Sequence, residues 1–401
     1  MPPYRDLLPS AAHGRQGGPW RGGLLLIAFC ILALGAVIVQ KDGPATGAAA
    51  AADRPAPLLA ANPDPPTTTT KLIFIHHSTG ENWLIDVDES GGTGGGLGTA
   101  LRDANYFVSD TNYGWGPPDA DVGSDTIGDH TDIGHWYNWF AGPHRDTYLA
   151  ALYPESAQHA TYSRRDTDPG GENQVIMFKS CFPNSALGGQ PNDPPTTGDN
   201  PLRGQDAGSE HMTVGNVKGI YNDILAYFAT RQDKLFVVIA APPLREEDTN
   251  AEQAANARAF NNWLVNDWLA AYPHLNVAVF DFYNVLTSNG GNPDTNDLGA
   301  EAGNHHRFRN GAVEHTQTLN NNYSSYPTGD SHPSPAGGQK ASGEFVPVLN
   351  VAYNRWRGQA PANTPTPTTT PTATGTPTAT PTGTPTPTQS VRVYLPLTLR
   401  N

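Results

Sequence analysis

Cysteine is nearly missing from this chain: Cys30 and Cys181 are its two examples in 401 residues. Cys30 falls inside an apolar run near the N-terminus, so no disulfide can form within the region that holds Cys181. Without that cross-link the fold must rest on an apolar core, and about 290 residues are ample for one. Positive charge is also scarce. Lys and Arg total 24 against 38 Asp and Glu, a formal net charge of −14. That balance argues against nucleic acid and anionic surfaces as partners and fits a soluble exported protein.

The apolar run covers residues 22–39 (GGLLLIAFCILALGAVIV) and carries no charge. Arg5, Arg15 and Arg21 precede it against one acid, Asp6. Basic flanks stay on the cytoplasmic side, which puts the rest of the chain outside. The run is long for a signal peptide and at the low end for a span of ~17–25 residues. Residues 1–42 are therefore read as a signal peptide or signal anchor, and the Ala-rich stretch at 45–52 leaves cleavage open. Phe29 before Cys30 is too large for a lipoprotein cleavage site. Residues 43–70 are rich in Ala, Pro and Thr and read as a flexible stalk. Residues 359–389 are a Pro-Thr repeat, extended and unable to pack a core. The tail at 390–401 contains VRVYLPLTLRN, similar to short YLPL-type tails of some exported bacterial proteins. It reads either as a cell-envelope attachment element or as a strand docked on the domain.

Between these ends, residues 71–358 alternate short apolar segments with helical patterns. Strands are expected at 72–75, 106–109, 174–178, 235–240 and 277–280. Helices are expected over 217–230 and 251–271, the second with Ala255, Phe260, Leu264 and Trp268 near one face. Such alternation predicts a parallel α/β sheet covered on both faces. Residues 110–170, rich in Gly, Asp, His and Trp, are expected to form long loops over the C-terminal edge of the sheet, where open α/β sheets bind ligands.

Two segments carry the chemistry. KLIFIHHSTG places Ser78 after an apolar strand, and GDSHPSPAG places Asp330 and His332 near the end of the folded region. A serine hydroxyl needs a base, usually histidine, and an acid orients the imidazole. With these residues the domain resembles the SGNH/GDSL hydrolase superfamily, which implies a three-layer α/β/α flavodoxin-like fold and ester hydrolysis without a cofactor. The resemblance maps Ser78 to the nucleophile, VSDTNYGWGP to the second block with Gly114 or Gly116 as the oxyanion glycine, and VIMFKSCFPNS to the third block with Asn184 as the oxyanion amide. GDSHPSPAGGQKA resembles the last block. His76-His77 stands where the family has Gly-Asp, and Asp330 precedes His332 by two positions instead of three.

Each motif also has a plainer reading. Ser78 suits a helix N-cap, and Gly, Asp, Ser and Pro around His332 suit a surface turn. His76 and His77 are either packed or, His77 above all, pocket-lining. Tyr113, Trp115, Trp136, Tyr137 and Trp139 are core aromatics or sugar-stacking platforms, with Trp115 taken as substrate-binding. Asp125, Asp129, His130, Asp132 and His135 form a polar loop or a divalent-metal site, though no ligand spacing signature is met. DVDESGG at 86–92 opens like a calcium loop, but Leu97 falls where the bidentate Glu belongs. The expectation is an extracytoplasmic esterase acting on an acylated, for example acetylated, glycan. Its rivals are a metal-dependent hydrolase built on 125–135 and a non-catalytic surface glycan-binding module.

Overall fold

A computed structural model describes residues 60–87, 93–120 and 125–361. The N-terminal apolar run, most of the stalk, most of the Pro-Thr repeat, the tail and most of the 86–92 stretch lie outside the described residues. Among the described residues, no helix is long and apolar enough to cross a membrane.

Five strands form the central sheet: β1 (Thr70–Ile75), β2 (Tyr106–Thr111), β3 (Val175–Lys179), β4 (Leu235–Ile239) and β5 (Val277–Phe280). They lie in the order β2-β1-β3-β4-β5, and every pairing is parallel. This is the flavodoxin-like order. All five expected strands are present. Side chains alternate across the pleat and divide the core in two. Ile73, Ile75, Ile176, Phe178, Phe236 and Val238 face one layer. That layer is built from α3 (His135–Phe140), α4 (Arg145–Leu152), α5 (Val214–Thr230) and α6 (Ala251–Asn266). Leu72, Phe74, Val175, Met177, Leu235 and Val237 face the other. Its helices are α1 (Thr79–Leu84), α2 (Leu97–Asp103), α7 (Phe282–Val285) and α8 (Pro335–Arg357). The product is a three-layer α/β/α fold.

The expected helix at 217–230 starts a turn earlier, where Thr213 accepts from the Asn216 N–H as N-cap. The one expected over 251–271 stops at Asn266, and Ala254, Ala257, Phe260 and Leu264 form its buried face in place of Ala255. An antiparallel hairpin, β6 (Asn304–Arg309) and β7 (Ala312–Gln317), was not expected. It turns at Asn310-Gly311, both with positive φ (52° and 82°), as a two-residue hairpin turn requires. The folded unit also begins before residue 71. Asn354 of α8 donates to the Asn62 and Asp64 carbonyls at 3.0 and 2.8 Å, and Asn105 donates to the Pro66 carbonyl at 2.7 Å.

The late Asp-Ser-His segment leads directly into α8. Pro335 sits at the first helical position, where its missing N–H costs nothing, and Gly358 ends the helix at φ 67°. The start of α8 packs tightly against the loop after α1. A Cβ on Gly338 would stand 2.7 Å from the Gly95 Cα, a backbone atom that cannot rotate away. Gly338→Ala is therefore expected to destabilise the domain by about 1–3 kcal/mol. A denaturant melt showing no loss would contradict this packing.

Candidate active site

Parallel strands deliver all their C-terminal ends to one edge. His76–Ser78 follow β1, Asn112–Gly116 follow β2, and Ser180–Asn184 follow β3 on that edge. The β1 exit is tight. Ser78 adopts φ 40° and ψ −100°, a positive-φ conformation that costs a non-glycine residue energy. Gly80 permits the turn, because a Cβ there would lie 2.4 Å from the His76 Cβ. Ser78 occupies the N-cap position of α1, yet its side chain makes no capping hydrogen bond. Its Oγ instead hydrogen-bonds the Nε2 of His332. The N–H groups of Ser78 and Thr79 have no acceptor among the described residues.

His332 Nδ1 pairs with Asp330 Oδ2 at 2.8 Å, which makes Nδ1 the donor and leaves Nε2 to accept the Ser78 proton. The two-residue offset works because the loop folds on itself: Asp330 Oδ1 also accepts from the His332 N–H at 2.9 Å. Burial pulls the Asp330 carboxyl upward, but the bonds from His332 and Thr328 outweigh it and hold its pKa below the ordinary value. The loop is clamped from the β4 side. Ser331 donates to Asp248 at 2.5 Å, and Arg245 bonds Asp248 through two nitrogens at 2.8 Å each. Arg245 also donates to the Gly329 carbonyl at 3.0 Å. The edge of the Phe182 ring meets the His332 ring, with centroids 4.9 Å apart.

The structure thus brings Ser78, His332 and Asp330 together. It gives other expected site residues different work. Asn184 donates both amide hydrogens, to Asp132 at 2.5 Å and to the Cys181 carbonyl at 3.2 Å, and its oxygen accepts from Ile133 at 2.8 Å. No donor remains for an oxyanion. The Gly114 N–H is bonded to Asp129 at 2.9 Å. Gly116 is exposed at φ 88°, and the turn alone accounts for glycine there. Trp115 is buried, donates to Glu155 at 2.7 Å and stacks on Trp139, so it is core. His77 is buried too, with Nε2 bonded to the Gly128 carbonyl and its ring stacked on Tyr113 at 4.0 Å. His76 pairs with Asp110 at 3.2 Å, both fully buried.

The 125–135 cluster does not converge. Asp129 accepts from Gly114 and Thr126, Asp132 from Asn184 and Ala207, and His135 Nδ1 from the Asp132 N–H at 3.2 Å. Among the described residues, no group of three His, Cys, Asp or Glu is arranged to hold a metal ion. These polar groups instead lock the loops over the sheet edge.

Three features around the site were missed in the sequence. Lys179 ends β3 fully buried, and its Nζ bonds the Thr79 hydroxyl and the Ser180 carbonyl. A lysine directly after the apolar run VIMF was the available signal. Ser331 and Phe182 lie inside the segments GDSHPSPAG and VIMFKSCFPNS, but nothing local marks the clamp to Arg245 and Asp248 or the edge contact with His332.

No family model matches the chain, and no curated protein matches it. Among solved structures, it is similar to a carbohydrate esterase whose active site is described as displaying divergent catalytic and non-catalytic binding functions. The identity is 12%, the TM-score is 0.24, and the match covers 54% of this chain and 57% of that one. The chain thus spans little more than half the length of that esterase.

Three buried histidines make the fold acid-sensitive. Burial lowers His77 and His135 from 6.5 to about 4, and His306 to about 3. The unfolded chain binds these protons first, so stability is complete above 6.5 and falls as pH drops toward 4. Each contributes a slope of about 1.4 kcal/mol per pH unit in that window. Thermal melts between neutral pH and about pH 4 check this; a midpoint that stays constant contradicts it.

Proposed function

We propose that the chain is a serine ester hydrolase in which Ser78 is the nucleophile, His332 the base and Asp330 the residue that orients it. The observation that carries this reading is the Ser78–His332–Asp330 hydrogen-bond chain, in which the serine leaves the N-cap bond unmade. In the reaction, Ser78 Oγ bonds to the ester carbonyl carbon as its proton passes to His332 Nε2. The carbon–alkoxy bond then breaks, and the alkoxy oxygen takes that proton. Water, deprotonated by the same nitrogen, releases the acid and restores the serine. The N–H groups of Ser78 and Thr79 are the donors aimed at the oxyanion, in the role first expected of Gly114, Gly116 and Asn184.

The proposed substrate is an acylated carbohydrate. Support comes from Tyr113, 61% exposed, which stacks on the ring of His77, the residue before Ser78. An exposed ring stacked on the residue before the nucleophile offers an apolar face to a sugar. The Arg-flanked apolar run at 22–39 supports action outside the cytoplasm, with membrane attachment through that segment.

Ser78→Ala is expected to lower hydrolysis of p-nitrophenyl acetate by about 1,000-fold or more while the melt stays cooperative. Turnover close to that of the unmodified protein would end this reading. Tyr113→Ala is expected to raise KM for an acetylated oligosaccharide about tenfold, with p-nitrophenyl acetate unaffected. Equal loss on both substrates would remove the case for a sugar platform.

A further inference from the structure

One buried charge has no task in the reaction as written. Lys179 is 1% exposed at the end of β3. Its Nζ donates to the hydroxyl of Thr79, the residue directly after Ser78, and to the Ser180 carbonyl at 2.9 Å. Thr79 in turn donates to the Cys181 Sγ at 3.5 Å. The lysine stem lies under the first turn of α1, since a Cβ on Gly80 would meet its Cε at 3.2 Å. A serine held at φ 40° needs surroundings that over-determine it, and this strap reaches the adjacent residue. A cation buried in low dielectric also acts more strongly than one in water.

We propose that Lys179 is a positioning residue for Ser78: its ammonium group, through the Thr79 hydroxyl, holds the strained turn and places positive charge beside the carbonyl under attack. The inference rests on the ester-hydrolase reading above. Its consequence is a pH limb. Burial lowers Lys179 from 10.5 to about 8, against the opposing influence of Cys181 and Asp132. The charge is present below that value and lost above it. His76 at the end of β1, paired to Asp110, shares with this lysine the space around Gly80. Its strand neighbour on β4, Ile239, is apolar, and Thr79 does not titrate.

The test measures two rates from about pH 6 to pH 10: labelling of Ser78 by a fluorophosphonate, and hydrolysis of p-nitrophenyl acetate. The unmodified protein is expected to lose rate above about pH 8 with one proton released. Cys181→Ser should keep that limb, which separates the lysine from the thiol. Lys179→Met should lower kcat and the labelling rate about tenfold to a hundredfold with KM little changed, and its residual rate should show no limb. Lys179→Arg, which keeps charge and does not titrate, should recover rate and remain flat to high pH. Thr79→Val, which leaves the lysine in place, should lower the rate about tenfold and serves if Lys179→Met fails to fold. A Lys179→Met rate within threefold of the unmodified protein overturns the inference, as does a limb that disappears in Cys181→Ser. So does a profile of the unmodified protein that is flat throughout. In each of those cases Ser78 is still labelled and the hydrolase reading stands. If Ser78 is not labelled in the unmodified protein, both fall together.

Discussion

A single hydrogen bond joins Ser78 to His332, residues 254 positions apart, and the site exists only because the sheet closes that distance. With all five strands parallel, each strand must exit at the same edge. The β1 exit supplies the serine. The imidazole comes from the loop before α8, a helix of the same layer as α1 that closes that core. A sheet with a reversed strand at β1 would send the serine to the far edge, whatever the local sequence.

The two halves of that contact are held by different physics. Ser78 is fixed by strain and burial: an apolar strand, a positive-φ turn, a glycine that admits the His76 side chain, and a lysine strap beneath. His332 is fixed by ionic hydrogen bonds at the surface. Asp330 is about half exposed, so its grip on the imidazole depends on its two bonds to His332 and on the Arg245–Asp248–Ser331 clamp. Water weakens exposed ion pairs, and a bidentate, doubly anchored arrangement is the form that keeps its geometry.

Much of the fold was legible because buried parallel strands are apolar without interruption. LFVVI and VAVF identify themselves, and both match the expected segments. The hairpin β6–β7 was hidden by its own residues. Its strands carry His305 and His315, whose partners Glu344 and Asp281 lie far away in the chain, and Arg307 and Glu314, which pair with each other only once the two strands are joined. The Asn310-Gly311 turn was its one local sign. Helix α8 was obscured by glycines at its start and by Pro347 within it.

At the candidate site, the serine and the Asp-Ser-His segment could be picked out because the proposed chemistry is confined to two short segments. The oxyanion assignments could not. Whether an amide is available depends on what else it bonds, and Asn184 is consumed by a loop some fifty residues earlier. Trp115 looks the same in sequence whether it faces sugar or core; its bond to Glu155 and its stacking on Trp139 decide the matter.

The most direct measurement is a crystal structure of the protein after reaction with a fluorophosphonate. The account predicts phosphorus bonded to the Ser78 Oγ, its non-bridging oxygen facing the Ser78 and Thr79 N–H groups, and His332 Nε2 within about 3.2 Å of the adduct. An unmodified Ser78, or an adduct with His332 turned away from it, would contradict the account.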